Sequence, residues 1–152
     1  MRFTNLICGM MMLAGGLLAA DPLLGTWKLN LEKSKYGAQP APKSNAFTWS
    51  ENNGVYHYKS VGVGPDGKPT LVEIDHKFDG KDAKVTGSSM ADTVAFTRTG
   101  QQGFSATLKK DGKVNGSNKS TMSKDGKTLT TVWNVNDASG KAQSWTTVSD
   151  KQ

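Results

Sequence analysis

The chain predicts an all-β protein, an antiparallel up-and-down meander of about ten strands closed into a barrel. Three observations predict it. Turn dipeptides recur with an almost regular beat: Asn53-Gly54, Asp66-Gly67, Asp79-Gly80, Asp111-Gly112 and Asp125-Gly126. Asn, Asp and Gly tolerate the positive φ that tight hairpins need. Between them lie stretches rich in Thr, Val and aromatic residues, without a sustained 3.6-residue apolar stripe. The first stretch opens on Gly25-Thr26-Trp27.

Residues 1–20 stand apart as an export leader. Arg2 is its positive start, Leu6 to Leu18 its apolar centre, and Leu18-Ala19-Ala20 a small-residue exit before Asp21. The apolar centre is well short of the roughly 20 residues of a membrane span. Cleavage after Ala20 places the protein in the periplasm or outside the cell. It leaves one domain, 21–152, and removes Cys8, the single cysteine, so neither a disulfide nor a Cys-ligated metal can support the fold.

The expected strands follow in order: Leu24–Leu31, Asn45–Glu51, Val55–Val63, Thr70–Phe78, Asp82–Thr86, Ala91–Thr99, Phe104–Lys109, Val114–Ser123, Thr128–Asn134 and Ala142–Ser149. Gly87-Ser88-Ser89, Gly100 to Gly103 and Asn136 to Gly140 supply the remaining breaks. The long connection Glu32 to Ser44 holds Pro40 and Pro42, which bar a continuous helix and suit a strap across one barrel end. Gly62 and Gly64 suggest a bulge. Without long crossovers the meander is preferred over the alternative, a two-sheet sandwich.

Period-two alternation gives the inward residues. Trp27, Leu29 and Leu31 share a face, as do Phe47 and Trp49, then Tyr56 and Tyr58 across the Asn-Gly turn. Val72, Ile74, His76 and Phe78 align, followed by Val94, Phe96 and Arg98, by Phe104, Ala106 and Leu108, and by Leu129, Thr131 and Trp133. The eighth strand is polar on both faces and reads as an edge or a wet wall. Arg98 is the single arginine beyond the leader. It is either the anchor of an anionic head group, with His76 and Tyr58, or a rim residue packed on Phe96.

Sites for chemistry are not legible. The chain has no Gly-x-Ser-x-Gly elbow, no metal-site spacing around His57 and His76, and no calcium or phosphate loop. Asp75 and His76 fall on opposite strand faces. No catalytic residue, metal or cofactor is implied. The net charge of +6 falls by one with Arg2, and its lysines are scattered over turns. That excludes the clustered cations of a nucleic-acid reader and leaves loose attraction to anionic envelope components.

The opening Gly25-Thr26-Trp27-Lys28-Leu29, followed by short meandering strands, resembles the calycins, the lipocalins and fatty-acid-binding proteins. With Lys33-Ser34-Lys35 it is similar to small exported bacterial proteins that begin Leu-Gly-Thr-Trp-Lys-Leu-Asn. The resemblance implies a barrel with Trp27 plugging one end and a late basic residue across it, a role open here to Lys151. The Arg-x-Tyr of fatty-acid-binding proteins is replaced by Trp145-Thr146-Thr147-Val148, so their ligand does not transfer. The expectation is a non-enzymatic carrier of a small amphipathic or apolar ligand, held by Trp49, Tyr58, Phe96 and Trp133 and oriented by His76 or Arg98. Its rival is a packed structural or envelope-interaction barrel, and a cavity of a few hundred Å³ separates the two. Oligomeric state is not legible.

Overall fold

The computed structural model describes residues 20–152, so the expected leader, all but Ala20, lies outside the described residues. Ten strands follow one another: β1 (Gly25–Leu29), β2 (Ser44–Asn52), β3 (Val55–Val63), β4 (Pro69–His76), β5 (Asp79–Thr86), β6 (Thr93–Gly100), β7 (Gly103–Lys110), β8 (Lys113–Met122), β9 (Thr128–Asn136) and β10 (Ala142–Lys151). Each pairs antiparallel with the next, and β1 closes onto β10. The sandwich is thereby excluded, because a closed ring has no edge strand.

The turn chemistry accounts for much of the meander. At Asn53-Gly54 and Asp111-Gly112 both residues have positive φ, the signature of a type I′ hairpin. The other three Asp-Gly-Lys segments work differently. Asp66, Asp79 and Asp125 each accept a bond from the backbone N–H two residues on, at Lys68, Lys81 and Lys127. Each side chain thus stands in for a turn carbonyl.

Four local expectations are corrected. Asp79-Gly80 opens β5 beside a bulge rather than forming a tight hairpin. The register from β3 to β4 runs unbroken, so Gly62 hosts no bulge; it is needed because a Cβ there would lie 2.4 Å from the Ser44 carbonyl oxygen. Leu31 lies beyond the end of β1 and is 42% exposed. Finally, β8 pairs with both β7 and β9 and is not an edge. The alternative reading, a polar wall, holds, with Asn118 and Ser120 facing inward.

Hydrogen bonding between β4 and β5 is short, with only Glu73 and Ile74 opposite Thr86 and Val85. This is the shortest ladder in the wall.

The core is densest at one end. Trp27 is fully buried, donates from Nε1 to the Leu23 carbonyl oxygen at 2.9 Å, and stacks near Phe47. Lys151 lies across its ring at 5.2 Å and donates to the Pro22 carbonyl oxygen at 2.6 Å. The late basic residue is therefore this lysine. Burial of the indole and the cation over its face both hold the plug in place.

Candidate functional site

The barrel interior holds a cavity of about 570 Å³, within the range of small-molecule sites. Its wall has two characters. Trp49, Tyr58, Phe96 and Phe104 form an aromatic side, while Asn118, Ser120 and Thr131 give a polar one on β8 and β9. Residues 30–43 run along β10 and then over the mouth. Lys35 exchanges two backbone bonds with Thr146, each 2.8 Å, and Tyr36, Gln39, Pro40 and Pro42 contribute to the lining. The strap read from the two prolines is thus the roof of the cavity.

Trp49, Tyr58, Phe96 and Trp133 all line the cavity. Trp133 stands opposite Trp145 in the β9–β10 register, and the two indoles stack at 5.7 Å. Trp133 Nε1 donates to the Thr147 hydroxyl at 3.1 Å. Burial pushes the Tyr58 hydroxyl up to about 12, so it faces the cavity as a neutral phenol.

His76 and Arg98 are placed elsewhere, and the idea that they orient a ligand is corrected. Neither lines the cavity; both lie at the plugged end. His76 is 4% exposed, stacked on Phe96 at 4.0 Å and edge-on to Trp49 and Phe78. Neither ring nitrogen has a well-formed hydrogen bond. Burial is the main cause that lowers its pKa to about 4; the nearby Lys77 backbone pulls the other way and the Arg98 charge adds to the lowering. The ring is neutral near pH 7.

Arg98 packs its guanidinium over Phe78 at 4.1 Å and pairs with the Asp21 carboxylate. The same carboxylate accepts from the Tyr56 hydroxyl at 2.7 Å and from the Leu23 N–H at 3.0 Å. Asp21 thus ties the segment before β1 across the bottom of the barrel. The guanidinium is already committed to a carboxylate, which explains the use of arginine where lysine serves everywhere else.

Sequence reasoning missed Asp21, Asn118, Trp145 and Tyr36. Asp21 carries no signal beyond its position after the expected leader. Trp145 was within reach, since continuing alternation across the last turn sets it beside Trp133. Asn118 sits in a strand whose two faces are both polar, so its direction cannot be read.

Away from the cavity, His57 and Asp75 pair at 2.6 Å on the outer surface. Among the described residues no three His, Cys, Asp or Glu side chains converge on a metal-sized site.

No family model matches this chain, and no curated protein matches it. Solved structures similar to it include apocrustacyanin C2, with 10% identity, a TM-score of 0.47, and coverage of 90% of this chain and 64% of that one. Lobster apocrustacyanin A1 gives 10% identity and a TM-score of 0.46 over 88% of this chain and 63% of that one. The chain spans a little under two thirds of the length of either.

Proposed function

We propose that this protein is an exported, non-enzymatic carrier that holds a small amphipathic or apolar molecule inside its barrel. The cavity of about 570 Å³ carries the reading. A barrel that served only as a scaffold would fill its interior with side chains, since unfilled apolar space costs stability. Aromatic side chains supply contact area at small entropic cost, and the strap limits exchange with water.

The wall also favours binding over catalysis. Among the described residues its titratable members are two tyrosines, Tyr36 and Tyr58, and a phenol with a pKa near 12 is a poor general acid or base at neutral pH. Export follows from the expected leader, and the scattered lysines suit loose contact with anionic envelope components.

Native mass spectrometry of protein purified from its producing cells tests the reading, with solvent extraction of anything retained. The expected result is a discrete added mass that disappears on denaturation. Apo protein whose tryptophans also fail to respond to a panel of lipids and flat apolar molecules would return the barrel to a structural role.

A further inference from the structure

The cavity wall is uncharged. Its polar members are amides, hydroxyls and indoles, and among the described lining residues none is Asp, Glu, Lys, Arg or His. The nearest candidates for charge are spoken for. Arg98 is paired with Asp21 at the plugged end, and His76 is buried among rings and neutral.

Most of the polar wall is also satisfied internally. Ser120 and Thr131 share a hydrogen bond of 2.8 Å, Asn45 donates to Ser60 at 2.8 Å, and Trp133 donates to Thr147. Asn118 differs. Its side chain is in the cavity wall, its residue is 8% exposed, and its Oδ1 has no partner. It sits midway along β8, opposite Ala106 on one side and Trp133 on the other. Its Oδ1 receives no bond from either neighbouring strand.

We infer that the ligand is an uncharged molecule whose hydroxyl or amide group bonds to Asn118 inside the barrel, and that carboxylates and ammonium ions are rejected. The inference rests on the carrier reading and deepens it. An ion moved into this cavity leaves water without gaining a counter-charge, so it is excluded or must first neutralise itself. A hydroxyl, by contrast, meets an amide that already lacks a partner, and the remaining wall accommodates its apolar body.

Three probes of equal chain length separate the possibilities: 1-dodecanol, dodecanoate and dodecylammonium, titrated against intrinsic tryptophan fluorescence. At pH 7.5 dodecanol is expected to bind at least about tenfold more tightly than either ion. Dodecanoate affinity should rise by about tenfold for each pH unit from 8 to 6, because it enters as the neutral acid. In Asn118→Leu, checked for folding by circular dichroism, dodecanol should weaken by about tenfold.

An ion that binds as tightly as dodecanol, with no pH dependence, overturns the inference and leaves the carrier intact. So does a folded Asn118→Leu protein with unchanged dodecanol affinity. Failure of all three probes to bind overturns the inference, and the carrier reading falls with it only if the protein is also purified apo and ignores the wider panel of lipids and flat molecules. The panel on unmodified protein decides the matter even if the variant does not fold.

Discussion

Acid should unfold this barrel in a window set by one side chain. The ordinary histidine pKa of 6.5 drops to about 4 for His76 in the folded protein, and its ring is held against Trp49, Tyr56, Phe78 and Phe96. Arg98, Asp75 and Asp79 are the charged groups around it. Between the two pKa values the unfolded chain takes up a proton that the folded chain refuses. Stability is therefore complete above about pH 6.5 and declines as pH falls toward 4. The full drop corresponds to about 3 kcal/mol, most of it lost by pH 4.5. Urea titrations at pH 7.5, 6.0, 5.0 and 4.5, read by tryptophan fluorescence, measure this directly. His76→Phe keeps a flat ring in the aromatic cluster and removes the proton site, so it should lose less than about 1 kcal/mol over the same range. Parallel profiles for the two proteins would refute the reasoning and assign the acid sensitivity elsewhere. The acidic groups held below their usual range, Asp92, Asp125, Asp137 and Asp150, act in a lower window. Their contributions fade as they protonate below about pH 4.

Trp27→Ala empties the plugged end and should destabilise by roughly 3–5 kcal/mol in a denaturant titration; a change below about 1 kcal/mol would mean that the tryptophan is not a plug. Asp21→Ala strips partners from Arg98, Tyr56 and the Leu23 N–H at once and should cost about 2–3 kcal/mol by the same assay. Gly87→Ala should lower the melting temperature by several degrees, because Gly87 has φ +81° and a Cβ there would sit 1.9 Å from the Leu71 carbonyl oxygen. Replacing Pro40 and Pro42 with glycine should loosen the strap, with faster ligand release in stopped-flow displacement and little change in the far-ultraviolet circular dichroism.

Strand positions were legible because the turns are spelled in residues with few other uses. Asn53-Gly54 and Asp111-Gly112 demand a hairpin wherever they fall, and alternation from such a fixed point assigns the facing residues. That is why Trp49, Tyr58, Phe96 and Trp133 were found on the cavity wall from sequence. Alternation shows which side of the sheet a residue faces but not how far along the barrel it lies. His76 and Arg98 do point inward, yet they sit at the end that the Asp21–Leu24 segment seals, below the cavity. Asp79-Gly80 misled for a related reason. The same dipeptide serves a bulge as readily as a turn, and only pairing across strands decides between them.

The ring is closed by its most distant parts. Lys151 stands opposite Trp27 in the β1–β10 register, and its ammonium reaches Pro22 across a separation of 129 residues. Every other seam joins neighbours along the chain, so hairpins can assemble locally while this one waits for the whole chain and bears the largest loop-closure entropy. Until it forms, β1 and β10 are open edges with unpaired backbone groups, able to pair with the same strands of another molecule. The hazard of this architecture is thus exchange of terminal strands between copies during folding, and Lys151 over Trp27 is the contact that marks its end.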